Sequence, residues 1–552
     1  MIGVISKDSQ HLIVKEFFQL FKVPWEFYDR EKTYDIIIIT DNTVASPSAK
    51  LIIIFGSENT FFDIEYGLHF YVHTGGIMLE HSHFSFPIYQ SLAIFQFSNK
   101  PFIKVKNKEE LVGIEYIVSD QRILRIGYNL FDEIAFLLSR GQNSEYAPIP
   151  TVEIHISMLR NWILDSGLPL IEIPPFPYGY NFIVCLTHDI DFINIRSHKF
   201  DRSVIGFILR ALFPLYFRDF RSKIAWPKLL KNWKALLSLP GVYLGLFRDF
   251  WFDLDRYMEI EREMCSTFFF IPFKNHRGDS IKNKQPRYRA ARYNINDYKT
   301  LIEDLLKKGH EIGLHGIDAW HDPQKGQKEL QVIREIIGED HVGVRMHWLY
   351  FSEDSPKALE EAGFLYDSTL GYNDSIGYRS GTTQVFRLPG SSKVFELPLN
   401  VMDTAMFYRR RMGLSESEAL QICRRLINDM RTYGGVFTIN WHARSLSPER
   451  NWDTFYLKLL EILKAENVWF ASGEQAVNWF TKRRAIHFDD VKFLQNKVQV
   501  KLSSNNDNSS PALFLRVHFP GIKSTATENY HRNKRTFSDI PWSGESEIEA
   551  TF

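Results

Sequence analysis

Near its start the chain carries three runs that are apolar almost without a break: MIGVI (1–5), YDIIIIT (34–40) and KLIIIF (50–55). Such runs read as short strands covered on both faces. Between the first two, QHLIVKEFFQLF has the i, i+3, i+4 spacing of an amphipathic helix. The first ~175 residues therefore predict α/β layering, with a turn-rich break at Val44–Ser48. They hold no glycine-rich phosphate loop and no catalytic dyad, so an accessory role is expected. LIEIPPFPYGYNF (170–182) carries three prolines and a glycine and reads as a linker.

From there to about Lys482 the pattern alternates. Strands are predicted in 266–273, 310–315, 342–348, 394–399, 435–442 and 468–472. Helices are predicted in INDYKTLIEDLLKKG, SPKALEEAGF, SESEALQICRRLINDMRTYG and FYLKLLEILKAEN. Repeated strand–helix units over ~250–300 residues imply a (β/α) barrel or an open parallel sheet, with reactive groups at the C-terminal strand ends. NKVQVKLSSNNDNSSPALFLRVHFPG then reads as two strands around a polar turn, a small β module with a tail open to disorder. Three units follow: 1–175, 176–482 and 483–552.

Composition narrows the function. Lys plus Arg and Asp plus Glu both number 66, so no whole-chain attraction to nucleic acid is indicated. The three cysteines, Cys185, Cys265 and Cys423, are far apart and form no metal motif or disulfide framework. The N-terminal stretch shows no basic region followed by an apolar one, and no run is long and apolar enough to span a bilayer. A cytoplasmic or membrane-peripheral location is the expectation.

The chemistry lies at the strand ends. NFIVCLTHDIDFI (181–193) closes an apolar run with Asp189 and Asp191, which share one face of an extended segment. Two such carboxylates repel unless a cation lies between them or one holds a proton. Other strand ends carry His315, Arg345 with His347, Asp403, and His442. One aspartate and two histidines suit Zn²⁺ or another transition metal and leave positions open for water and substrate. The second aspartate is then free to take a proton, an arginine to hold it ionised, and a further histidine to protonate a leaving group. His188 and His310 lie an odd number of steps from motif residues, hence on the other strand face.

In order, LTHDID, GHEIGLH, VRMHW, LPLNVMD and INWH resemble the five motifs of the NodB-homology polysaccharide deacetylases, carbohydrate esterase family 4, over roughly residues 180–480. The resemblance implies a distorted (β/α)7 barrel and metal-dependent removal of an acetyl group from an N-acetylated or O-acetylated sugar. It makes Asp189 the general base, Asp191 and His315 metal ligands, Arg345 the residue holding the base, and His442 the general acid with Asp403 as its partner. It implies one divalent cation, Zn²⁺ first, with Co, Ni or Mn as alternatives. The family's second histidine falls four residues after the first, and that position is Ala319. His321, two further on, is taken as the third ligand, with His347 as its rival. His347, Trp348 and Trp441 are the candidate sugar contacts.

A long insertion (196–251) separates the first two motifs. It carries 11 Lys or Arg against 3 Asp or Glu, among many Phe, Leu and Trp. SVIGFILRALFPLYF within it suits a helix lying in a membrane interface. A carbohydrate substrate is expected, glycolipid-linked or nucleotide-linked as an option, with peripheral membrane contact through the insertion. The competing readings are a deformylase-type or other linear-amide hydrolase, and an inactive glycan-binding or assembly module.

Overall fold

Ile36–Ile39 and Leu51–Phe55 are buried at every position and pair in parallel with each other. The computed structural model that places them describes residues 1–42, 47–96, 100–199, 201–212, 226–251, 254–280, 289–494, 497–504, 511–520, 537–542 and 544–551. The break at Val44–Ser48 lies mostly outside them. Ile2–Ile5 and Gln121–Ile126 extend this parallel group on either side, and the helix His11–Leu20 covers it. Beyond Gln121–Ile126 the sheet turns antiparallel through Leu111–Val118, Pro101–Val105, Ile77–His81 and Phe84–Ile88. The expected α/β alternation thus stops near residue 65. Ser82, Asn107 and Ser119 take positive φ at hairpin turns, where Asn-Gly or Asp-Gly pairs would have marked the hairpins in the sequence.

The second large sheet carries the motifs. Tyr366–Asp367, Gly343–Met346, Glu311–Gly316, Ser266–Phe270, Phe182–Ile190 and Val436–Asn440 lie side by side, all parallel. The segment 395–402 joins its two margins. Leu397 N–H donates to Asp367 O (2.8 Å), and five residues from Phe395 the Asn400 N–H donates to Thr438 O (3.1 Å). The strand ends therefore face one mouth. Helices Lys299–Lys307, Ser355–Ala362, Glu416–Tyr433 and Asp453–Ala465 fall in the expected runs. Ser415 starts the third with a capping box to Glu418. Pro323–Ile337, absent from the expected helices, is capped by Asp322 and stopped by Gly338 at φ 75°.

Two expectations about the chain ends are corrected. Leu170–Glu172, read as linker, is a strand antiparallel to Leu513–His518, and Glu172 there meets Arg160 (2.9 Å) and His518 (2.7 Å). Lys497–Ser503 and Leu513–His518 do not pair with each other. The first joins His487–Leu494 and Glu547–Thr551, the second Leu170–Glu172 and Phe537–Trp542. The described part of the tail is thus stranded. Lys497–Ser503 takes the strand just before it as a partner, whereas Leu170–Glu172 and Leu513–His518 meet from far apart in the chain, where no pattern records it.

The insertion forms helices Arg202–Leu212 and Trp226–Tyr243 around a small core that includes Phe207, Leu239 and Trp251. The last third of the expected interfacial helix, 213–217, lies outside the described residues. No described helix is long and apolar enough to cross a membrane.

Candidate metal and proton-transfer site

Alternation along Phe182–Ile190 sends His188 one way and Asp189 the other. His188 is held between Trp441 O (2.8 Å) and Glu261 (3.1 Å), a structural position. His310 is buried with its ring edge-on to Phe268, also away from the mouth. Asp189 faces the mouth, where Oδ1 accepts from Arg345 Nη1 (3.1 Å) and Oδ2 from Asn440 Nδ2 (2.6 Å). Burial alone would raise the Asp189 pKa; His315, Arg345 and His442 outweigh it and hold the carboxyl below its usual range.

Arg345 is fully buried and fixed on every side. It donates to Thr187 Oγ1 (2.7 Å), Ser368 O (3.0 Å) and Ser368 Oγ (2.8 Å), and lies over the Phe269 ring. A guanidinium anchored this way cannot swing off the carboxylate it serves.

Asp191 Oδ1 stands 3.2 Å from His315 Nε2 and 3.3 Å from His347 Nε2. Register places His315 beside Arg345 on adjacent strands, and His315 Nδ1 lies 2.9 Å from Arg345 O. A carbonyl only accepts, so Nδ1 carries the hydrogen and Nε2 presents a bare lone pair. Burial pushes the His347 imidazole down to about 3, which keeps the ring neutral. For Asp191 burial opposes ionisation, yet the imidazoles around it, with His442 charged, hold its carboxyl well below the usual range. Among the described residues Asp191 Oδ1 is buried without a hydrogen-bond partner. These three donor atoms lie within 4.8 Å of one another, a set that could hold a metal ion.

His321 is not in this set, which corrects its expected place. The turn after Glu311–Gly316 is tied back to the helix Pro323–Ile337: Glu329 accepts from Ile317 N–H (2.9 Å) and Asp318 N–H (2.7 Å). That tie carries His321 away to Asp279 (3.1 Å) and packs Ala319 into the core. His347 takes the place instead. Trp348 and Leu349, at φ 66° and 54°, kink the chain straight after it and leave its Nε2 facing Asp191. A bulky residue at positive φ is strained, and such strain gathers at working sites.

Across the mouth, His442 Nδ1 lies 2.6 Å from Asp403 Oδ1, and Asp403 Oδ2 accepts from His442 N–H (2.7 Å) and Ser445 Oγ (2.5 Å). His442 Nε2 is 4.0 Å from Asp189 and 3.9 Å from Asp191. Burial favours the neutral ring, but Asp403, Asp191 and Asp189 outweigh it and hold the His442 pKa up at about 9. A cavity of about 230 Å³ opens on these groups, with Trp348 on its wall. Trp441 is not there. It is fully buried, stacked on Tyr456 (4.9 Å) and Phe455 (5.9 Å), because Asn440 and His442 on either side of it take the mouth face. Asn440 was not singled out in the sequence; its spacing of two from His442 was the available signal.

Over 94 residues, 16 % of this chain, the sequence is 26 % identical to the peptidoglycan deacetylase of Helicobacter pylori. The chain resembles polysaccharide deacetylases. It spans about a third, 32 %, of that curated relative's length. No family model matches the chain. Among solved structures, a chain of Mycobacterium smegmatis assigned as a polysaccharide deacetylase superposes with a TM-score of 0.33 at 20 % identity, covering 56 % of this chain and 93 % of its own. One of Pseudomonas aeruginosa PAO1, assigned the same way, gives 0.35 at 13 % identity over 57 % and 95 %. At scores this low the fold is read from the hydrogen-bonded strands themselves.

Proposed function

We propose that this chain is a metal-dependent hydrolase that removes the acetyl group from an N-acetylated sugar, on a distorted (β/α)7 barrel spanning 176–482. The carrying observation is the bare Nε2 of His315 meeting His347 Nε2 and Asp191 Oδ1 beside a second, arginine-held carboxylate. With that reading goes a division into 1–175, 176–482 and 483–552, the third unit tied to the end of the first through Glu172.

Asp191, His315 and His347 would hold one divalent cation, with Zn²⁺ first for an Asp–His–His set. Bound there, it supplies Lewis-acid chemistry, a more acidic water and a polarised carbonyl. The chain's own groups do the rest. Asp189, kept ionised by Arg345 and Asn440, takes the proton of the attacking water. His442, kept charged by Asp403, gives its Nε2 proton to the departing amine. Acetate and the free amino sugar leave. The inactive-module reading rested on Ala319; with His347 as the third ligand that reading loses its main support.

Contact with an anionic membrane surface belongs to the same proposal. Leu237 is 81 % exposed, Leu244 74 %, Leu246 73 % and Trp226 61 %, all within the insertion and near Lys234, while Lys228 and Lys231 are tied to Glu416 and Asp453. Basic side chains among exposed apolar ones suit an acidic bilayer surface. Sedimentation with phosphatidylserine vesicles, weakened by Leu237→Ser with Leu246→Ser, is expected; equal binding to neutral vesicles rejects the contact.

The test of the hydrolase is metal analysis with acetate release. About one divalent ion per chain and acetate from N-acetylated sugars are expected. A chain that takes up no metal and releases no acyl group overturns the proposal.

A further inference from the structure

The cavity has a second half that the reaction above does not use. Beside the aspartates and histidines it is lined by Arg411, Arg444 and Arg450. Arg210, on the insertion helix Arg202–Leu212, stands close behind. Only one carboxylate serves most of this group. Glu449 lies 2.7 Å from Arg444 Nε, 3.6 Å from Arg450 Nε and 3.7 Å from Arg210 Nη2. Arg411 donates to Thr404 Oγ1 (2.7 Å), and among the described residues no carboxylate lies in ion-pair reach of it. Four guanidiniums against one carboxylate leave three positive charges in excess. Asp189 does not offset them, because Arg345 already matches it, and Asp191 faces His315, His347 and His442 instead.

The guanidiniums are also held flat and aimed. Arg450 lies over Tyr408 (4.6 Å) and Trp452 (4.8 Å), Arg444 over Phe192 and Trp251 (both 4.5 Å), and Arg411 over Tyr408 (5.4 Å). Arg444 is only 8 % exposed, yet among the described residues its Nη1 meets no hydrogen-bond acceptor, and neither does Arg450 Nη1. Buried donors of a charged group left without acceptors are costly, and native structures rarely keep them without use. A planar guanidinium fork matches the oxygens of a phosphate or carboxylate, and preset forks bind with little loss of freedom. A neutral amido sugar has no group that needs this wall.

We propose that the substrate carries an anionic oxygen group, a phosphate or a carboxylate, next to its amido sugar, and that Arg411, Arg444 and Arg450 receive it. The proposal rests on the hydrolase reading for the amide, while the anion site stands on the arginines alone. The test is titration calorimetry of the full chain with N-acetylglucosamine 1-phosphate, N-acetylmuramic acid and neutral N-acetylglucosamine. One of the two anionic sugars is expected to bind about tenfold or more tightly than the neutral one, and which one tells phosphate from carboxylate. The advantage should shrink in high salt and be lost in both Arg411→Gln and Arg450→Gln. Arg411 is the safer of the two, being half-buried with a single side-chain hydrogen bond to the protein. Equal affinity for all three sugars, or an anionic advantage that survives both substitutions, overturns the proposal. Anionic preference without acetate release from any sugar would sink the hydrolase reading and leave the arginine site standing. Acetate release with no preference would do the reverse.

Discussion

Two clusters of aspartate and histidine lie near the mouth, and they differ in how far their polar atoms are already engaged. In the first, Asp191 Oδ1 and the Nε2 atoms of His315 and His347 face one point, and among the described residues no amide or ammonium hydrogen covers Asp191 Oδ1. In the second, Asp279, Asp318 and His321 also come within 4.8 Å of one another. There, however, Asp318 accepts from Asp279 N–H (2.7 Å) and lies 2.9 Å from His276 Nε2, while Asp279 takes the ammonium of Lys325 (2.5 Å). The residue types are alike; the state of the lone pairs is not. A carboxylate already covered by amide and ammonium hydrogens has little left for a cation, and a lysine in the middle opposes one directly. The second cluster is a turn clamp, while the first is a group that could hold a metal ion.

The strongest way to break this contrast is to exchange the ligands. Asp191→Ala should lose the metal and with it all measurable acetate release, whereas His321→Ala should keep both; metal analysis on the purified variants decides, and the opposite pattern would return His321 to the site. Next comes the base. Asp189→Asn is expected to keep the metal yet slow turnover by about 10²–10⁴-fold, the usual worth of a positioned acid or base. Asp403→Asn should cost about 10–100-fold, the scale of losing a group that orients another. Its sharper mark is in the pH profile. Asp403 raises the His442 pKa, so His442 is charged below about 9 and activity should fall as pH rises through that value. Without Asp403 the alkaline limb should move to lower pH; an unmoved limb would detach His442 from the proton transfer. The smallest effect belongs to the clamp. Lys325→Ala removes a half-exposed ion pair and should change unfolding free energy by about 0–1 kcal/mol with the bound metal unaltered, as denaturant melts and metal analysis would show.

The same contrast explains what could be read from the residues. Asp189 and Asp191 share a face because strand side chains repeat every two positions, and that rule needs no partner. By the same rule His188 turns away, and Asn440 could have been joined to His442. The parallel strands of the central sheet were legible as apolar runs because both their faces are covered. The antiparallel half of the N-terminal sheet was not, since its hairpins turn on Ser and Asn at positive φ. Nor were the partners of Leu513–His518, which lie at Leu170–Glu172 and Phe537–Trp542.

What the sequence determined on its own is the local part: which residues end the strands, which face each takes, and therefore that acid, imidazole and guanidinium groups gather at one mouth. Tertiary structure alone decided which histidine completes the donor set, that Trp441 is core, and that Arg411, Arg444 and Arg450 meet around one cavity. The reason is physical. Strand periodicity is set by neighbouring residues, whereas a turn tied by Glu329 or a kink at Trp348 is set by atoms far away in the chain, and a shift of a few ångströms there moves a nitrogen into or out of reach of a metal.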